Sequence, residues 1–278
     1  MEVRAATLSD WPLLQKFYSV AYNTGHPLHN LQFWQWQFGN PAFGQAFVGI
    51  ANGEITGHLG VTLRDGIAWN INLYILPQFR NTGLFLSLIE AIKPFGRQIN
   101  INANTAAVKL YRLLRWHQYT DLIRMTCIRP GLENSTIDDL LIPTNVDITG
   151  FTSPQGHYWQ QPGLISMVLD DGSEAVIQNN AGALRFARFV NPKKAVEQAW
   201  ALGFNWVDYI TSFNNPVLLK LERQGWRQDT ESGIPWYLNP VVKSRLSHVT
   251  FFAEEPIPID FYVNRTHSDI GRVGSLPI

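Results

Sequence analysis

Hydrophobic positions follow two periods along this chain, and each change of period marks an element. "EVRAAT", from residue 2, predicts a short strand. Trp11, Leu14, Phe17 and Tyr18 then recur at helical spacing. Thr7 or Ser9 can cap that helix, and Asp10 and Pro12 suit its first turn. "HNLQFWQWQFGNPAFG" is aromatic and ends in turn residues; Trp34 and Trp36 are read as packing residues. The next stretch is the clearest β segment. Asn52-Gly53 and Asp65-Gly66 are two-residue hairpin turns, which predicts antiparallel strands near 45–51, 54–62 and 67–75. "FRNTGLFLSLIEAIKPF" predicts a helix closed by Pro94 and Gly96, with Phe85, Leu88, Ile89 and Ile92 on its buried face. A strand "QININAN", a short helix from Asn104 and a strand "LIRMTCIRP" complete the first half.

Residues 130–146 are polar and rich in turn formers, and read as a linker. Beyond them the pattern returns. "EAVIQNNAGALRFARFV" predicts a hairpin, "PKKAVEQAWALG" a helix between Pro192 and Gly203, "NWVDYITSF" a strand and "NPVLLKLERQG" a helix. Two segments match at a fixed offset. Asn104 is followed by Tyr111 and Trp116; Asn214 is followed at the same intervals by Leu221 and Trp226. The segments end "WHQYT" and "WRQDT", so one supersecondary plan used twice is expected.

Composition narrows the setting. The chain has 278 residues, a comfortable length for two domains, and 45% of them are apolar. Lys plus Arg equals Asp plus Glu, 22 against 22, which gives no electrostatic footprint for nucleic acid or an anionic membrane. The single cysteine, Cys127, reads as a structural thiol, and no Cys/His cluster has metal spacing, so no metal is expected. "MEVRAATLSDW" has no apolar signal region and no run approaches a membrane span; a cytoplasmic protein is expected.

One stretch suggests chemistry. In "LPQFRNTGLF", residues 76–85, Arg80 precedes a turn of Asn81 and Thr82, and Gly83 opens a helix. A helix start offers backbone N–H groups without internal partners and the positive end of the dipole, which suits a diphosphate. The second-half counterpart "FVNPKKAVEQA" has no glycine there. An ordinary helix start is the competing reading of a single glycine.

The succession "WNINLYILP", "QFRNTGLFLSLIEAI", "ININAN" and "NTAAVKLYRLLRW" resembles the GNAT superfamily of acyl-CoA-dependent N-acyltransferases. The family's Arg/Gln-x-x-Gly-x-Gly/Ala signature maps to Arg80, Asn81, Thr82, Gly83, Leu84 and Phe85, with Phe85 departing from the usual small residue. Asn104, Ala107 and Tyr111 map to its second signature, with Arg115-Trp116 in place of Gly-Phe. The resemblance covers residues 3–128, and covers 150–240 only through the repeat. It implies an α+β fold. An N-terminal GNAT domain over 1–130 has a mixed, mostly antiparallel central sheet flanked by helices, and a degenerate GNAT-like domain over 147–278 contributes to acceptor binding.

The resemblance also implies roles. Pantetheine pairs with backbone near Tyr74 and Ile75, the amides of residues 80–85 hold the pyrophosphate, and Asn104 touches the pantetheine arm. The Leu73 N–H meets the thioester oxygen, and Tyr111 protonates the leaving thiolate. The base is open among His58, His26 and His29. Period-two alternation puts Asn70 and Asn72 on one strand face with Tyr74, as candidate acceptor contacts beside His26. Near the C-terminus Arg265, His267, Asp269 and Arg272 read either as a flexible tail or as contacts to a nucleotide sugar. "FWQWQFGNPAFG" is similar to a two-domain branch whose members acylate nucleotide-linked deoxyamino sugars in polysaccharide biosynthesis. The expected function is therefore transfer of an acetyl or other short acyl group from acyl-CoA to such a sugar. Another amine acceptor and a non-catalytic CoA-binding module are the alternatives; acyl length and oligomeric state stay open.

Overall fold

The computed structural model describes residues 1–102, 105–140, 142, 146–177, 182–228 and 249–267. In the first half, β1 (Glu2–Ala5), α1 (Trp11–Ala21) and α2 (Leu31–Phe38) precede β2 (Gly44–Ala51), β3 (Glu54–Arg64) and β4 (Ile67–Ile75). There follow α3 (Leu84–Ile92), β5 (Gln98–Asn102), α4 (Thr105–Leu113) and β6 (His117–Ile128). A short α5 (Ile137–Leu140) leads to β7 (Ile165–Val168), β8 (Glu174–Ile177), β9 (Ala183–Arg188), α6 (Pro192–Ala201), β10 (Trp206–Ser212), α7 (Val217–Arg223), β11 (Arg227–Gln228) and β12 (Val249–Ala253). The fold is α+β, with a mixed, mostly antiparallel sheet flanked by helices, as expected. The aromatic stretch forms α2, with Asn30 capping it through bonds from the Gln32 and Phe33 amides. The strands β7 and β12 were not anticipated, because "ISMV" and "VTFFA" are too short to show a period.

All the described strands belong to one sheet, in the order β1-β2-β3-β4-β5-β12-β6-β10-β9-β8-β7, with β11 also paired to β6. The two halves repeat a crossover: β4 and β5 are parallel around α3, and β9 and β10 are parallel around α6. The repeated helices also end alike. Arg115 and Gly225 both have left-handed backbone, and the next amides, of Trp116 and Trp226, bond back to the carbonyls of Tyr111 and Leu221. The strand order adds a connection that a division between 130 and 147 does not contain. β12, from the far end of the chain, lies between β5 and β6, while β6 lies between β10 and β11. That exchange explains why β6 begins at His117, earlier than its apolar pattern suggests: its first residues pair with β12 and its last with β10.

Apolar layers cover both sheet faces. Helix α3 sits close because two glycines lie under Leu84. A Cβ at Gly49 would stand 2.4 Å from Leu84 Cδ1, and one at Gly57 2.7 Å from Leu84 Cδ2. Across the second half, Asp208 of β10 is fully buried and collects three guanidiniums. Arg124 Nε donates to it at 2.9 Å, Arg185 Nη2 at 2.8 Å, and Arg265 Nη2 also bonds to it. Burial pushes the Asp208 pKa up, and the attraction of Arg185, Arg265 and Arg124 outweighs it, holding the carboxyl below the usual range. Cys127 is half-buried, and burial pushes its thiol up to about 11, so it stays protonated. Among the described residues no helix is long and apolar enough to cross a membrane.

Replacing Asp208 with Asn removes the carboxylate shared by Arg124, Arg185 and Arg265. A loss of about 3–5 kcal/mol is expected, read as a lower urea midpoint with an unchanged slope. A change under about 1 kcal/mol would mean that other groups balance these cations.

Candidate functional site

The site is organised by an irregularity in β4. Against β3 the register runs Gly57 with Ile75 and His58 with Tyr74, then shifts to Gly60 with Ile71. One extra residue is therefore accommodated on β4, and Asn72 and Leu73 together oppose Leu59. Asn72 takes left-handed backbone, φ 52°, a conformation that Asn tolerates better than most residues. Three elements hold it. Tyr22 Oη, from the C-cap of α1, donates to the Asn72 carbonyl at 2.9 Å, His58 Nδ1 of β3 lies 2.9 Å from the same oxygen, and Gln37 Nε2 of α2 donates to Asn72 Oδ1 at 3.1 Å. A carbonyl only accepts, so His58 Nδ1 carries the proton and Nε2 accepts from Tyr18 Oη at 3.0 Å. Both ring nitrogens of His58 are spent. The ring is fully buried, and burial, only partly opposed by the Asn72 carbonyl, lowers its pKa to about 4. His58, expected as a candidate base, is a neutral support of the bulge.

The bulge also corrects the expected sharing of a face. Ile71 and Tyr74 pack with the α1 and α2 cluster, and Asn72 bonds to Gln37 there. Ala68, Leu73 and Ile75 pack with the α3 and α4 cluster, and Asn70 lies beside Tyr111 of α4. The extra residue reverses the alternation, so Asn70 is on the opposite face from Asn72 and Tyr74. Beyond Asn70 the sheet opens: β4 pairs with β5 only from Ala68 to Asn70, although it continues to Ile75.

At the end of β4, Arg80 Nε donates to the Ile75 carbonyl at 3.1 Å, and its guanidinium carbon stands 5.8 Å from the Tyr74 ring centre. Asn81, Thr82 and Gly83 are exposed, and Thr82 Oγ1 donates to the Phe79 carbonyl. Gly83 is the N-cap of α3 with φ 80°, no side-chain cap, and open space where a Cβ would stand. The amides of Asn81, Gly83, Leu84, Phe85 and Leu86 have no backbone acceptor among the described residues. Leu84 and Phe85 turn their side chains into the core. The matching helix start in the second half is closed: Asn191 caps α6 by accepting from the Lys194 amide. The left-handed φ favours glycine at 83, and the missing side chain leaves the helix start uncovered.

Tyr111 is fully buried against Phe85, Trp116 and Phe252. Its hydroxyl lies beside the Asn70 carboxamide without closing a hydrogen bond of normal geometry, and burial raises its pKa. Other expected site residues are engaged elsewhere. His26 stacks on Tyr22 at 4.2 Å and its Nδ1 accepts from the Leu28 amide. His29 Nε2 is 2.9 Å from the Asn23 carbonyl. Arg265, expected at a sugar diphosphate, is fully buried on Asp208 and the Phe186 carbonyl, because Val263 and Asn264 lead the chain along β10. His267 joins Asp65 of the β3–β4 turn at 2.9 Å. Asn104, Asp269 and Arg272 lie outside the described residues. The chain pattern did not reveal Tyr22, Gln37, Gln98 or Asn100. For Gln98 and Asn100 the signal was the alternating run Gln98-x-Asn100 on a strand otherwise apolar; Tyr22 and Gln37 carried no such signal.

The family profile described as Acetyltransferase (GNAT) family matches residues 11–114, the span that holds the bulge, the open helix start and Tyr111. No curated protein sequence matches the chain significantly. Among solved structures, a protein of Pyrococcus horikoshii described as a candidate acetyltransferase is 13% identical with a TM-score of 0.53, covering 94% of this chain and 92% of its own. Its likeness extends over both halves of the fold. The PaiA N-acetyltransferase of Thermoplasma acidophilum, solved with coenzyme A, is 13% identical with a TM-score of 0.35, covering 42% of this chain and 90% of its own. A ribosomal-protein-alanine N-acetyltransferase of Brucella melitensis is 20% identical with a TM-score of 0.36, covering 44% and 88%.

The His58 geometry has a signed pH consequence. Its pKa is 6.5 ordinarily and about 4 in the folded chain, so the unfolded state binds the proton first. The His58 contribution is complete above pH 6.5 and is lost as pH falls from 6.5 towards 4. Stability at pH 5 should be lower than at pH 7 by about 2 kcal/mol from this group. Urea unfolding of the native chain and of His58→Phe at both pH values measures it; an equal pH dependence in the two proteins contradicts it.

Proposed function

We propose that this chain, a GNAT-type N-acetyltransferase over residues 11–114, moves a short acyl group from acyl-CoA to the amine of a nucleotide-linked deoxyamino sugar. The observation that carries the acyl-CoA part is the pairing of an open, uncapped helix start at Gly83 with a β4 that leaves β5 after Asn70. The amides of Asn81, Gly83, Leu84, Phe85 and Leu86 suit a diphosphate, and Arg80 stands at their edge. The free edge of β4 near Tyr74 and Ile75 suits the amides of pantetheine, with Asn104 as a further contact.

Acyl-CoA supplies an acyl group activated as a thioester. The residues of this chain then have three tasks. The Leu73 N–H, in the bulge, bonds the thioester oxygen in this reading. The acceptor nitrogen attacks the carbonyl carbon; a C–N bond forms, the C–S bond breaks, and the amine loses a proton. Tyr111 gives a proton to the leaving sulfur, since burial keeps its phenol protonated. With both His58 nitrogens spent, solvent takes the amine proton.

The acceptor class rests on the resemblance of the "FWQWQFGNPAFG" stretch and on one side chain. Arg64 is half-buried, on the same face of β3 as Asn72 of β4. Its guanidinium carbon is 4.9 Å from the Tyr158 ring centre, and it has no ion pair among the described residues. An anionic group on an extended acceptor suits it better than Arg265 does.

Two measurements test this reading. Gly83→Asn tolerates left-handed backbone and adds a side chain over the helix start; it should weaken CoA binding at least about tenfold while costing under about 1 kcal/mol of stability. Equal losses in both would favour an ordinary helix start. Tyr111→Phe should lower kcat about 10- to 100-fold with little change in KM, followed as thiol release with nucleotide-linked amino sugars and with simple amines. CoA stabilisation without thiol release from any amine would favour a binding module, and no response to any CoA ester would end the proposal.

A further inference from the structure

Four buried polar side chains meet on the α3 and α4 face of the sheet, at the last rung before β4 and β5 separate. Asn70 is 1% exposed, Gln98 and Tyr111 are 0%, and Asn100 is 4%. Asn70 Nδ2 donates to Gln98 Oε1 at 3.2 Å, and Asn100 Nδ2 donates to the Asn70 carbonyl at 3.0 Å. Each residue nevertheless keeps one unsatisfied atom: Asn70 Oδ1, Gln98 Nε2, Asn100 Oδ1 and Tyr111 Oη. One such group left dry costs about 1–3 kcal/mol. Four in one place point to something that meets them when the protein works.

Their chemistry narrows the occupant. Two carboxamide oxygens accept, one carboxamide nitrogen donates, and the phenol does both. An alkyl chain would satisfy none of them. A carboxylate would face two oxygens of its own partial charge, and no cation is among the four to offset its desolvation. A hydroxyl both donates and accepts, as this mixture requires.

Position supplies the rest, and here the inference rests on the acyltransferase reading. Across the bulge Leu73 opposes Leu59 and Asn70 opposes Val61, two residues or about 7 Å along the strand, and Asn70 lies at the closed end of the gap that opens towards Leu73. A short acyl chain on a thioester held at the Leu73 N–H runs towards that closed end. We propose that Asn70, Gln98 and Asn100 form a polar floor that selects a short hydroxyacyl group over an alkyl acyl group of equal length. Asn70, expected at the acceptor, then belongs to the acyl donor.

The test compares donors matched in heavy atoms: glycolyl-CoA with propionyl-CoA, and β-hydroxypropionyl-CoA with butyryl-CoA, using one acceptor that is turned over. The native chain should favour the hydroxyacyl donor by at least about tenfold in kcat/KM. The double variant Asn70→Leu with Gln98→Leu removes two bonded partners together, which a core tolerates better than losing one. Its preference should fall to about onefold or reverse, while calorimetric binding of CoA itself stays within about twofold. If the double variant does not fold, Asn100→Leu repeats the comparison. Equal kcat/KM for matched donors in the native chain, or a preference that survives the substitutions, overturns the inference. Absence of CoA binding overturns it together with the acyltransferase reading, and the calorimetry distinguishes that outcome from equal turnover.

Discussion

Asn72 holds left-handed backbone inside a strand whose neighbours are extended, and the surrounding elements meet on it. Such a conformation costs about 1–2 kcal/mol for an ordinary residue, and here hydrogen bonds from Tyr22, His58 and Gln37 offset it. Those donors come from the C-cap of α1, from β3 and from α2, so the position of each depends on the bulge and the bulge depends on each. The extra residue reverses which side chains face the two layers. It sends Asn70 towards Tyr111, turns Tyr74 towards α1, and leaves Leu73 in the bulge itself. With Asn72 in a regular strand, Leu73 would have taken the face that Tyr74 now occupies, and Tyr74 would have met α3.

The second constraint is the exchange of strands between the halves. β12 fills the space between β5 and β6, and β6 fills the corresponding space between β10 and β11. Neither half therefore completes its sheet without the other. The C-terminal segment that carries β12 is fastened at two further places, Arg265 on Asp208 and His267 on Asp65. Electrostatics here serve attachment rather than ligand binding. The two crossover-helix starts differ locally: Asn191 accepts from the Lys194 amide of α6, whereas α3 has no side-chain cap at Gly83. A repeated plan thus keeps its packing in both halves and an uncovered crossover-helix start in one.

Much of this was legible in the chain. Hairpin turns at Asn52-Gly53 and Asp65-Gly66, the Gly83 helix start, and the matched spacing of Tyr111-Trp116 with Leu221-Trp226 are local signals, set by backbone preference and period. The core side chains of α3 followed directly from those periods, and so did the inward turn of Phe85. The candidate site was legible only in its backbone loop. His58, His26 and Arg265 carry side chains that suit catalysis or anion binding, and their residue type alone could not say that their polar atoms were already used.

What the sequence determined by itself was most of the order of elements, the repeat, and the glycine that opens α3, because each depends on residues within a few positions of one another. What only the tertiary structure decided was the bulge at Asn72, the placing of β12 beside β5, and the meeting of Asn70, Gln98, Asn100 and Tyr111. Each of these joins residues far apart in the chain. A strand register can shift by one residue without any change in local preference, so its outcome is settled by the side chains that pack across it.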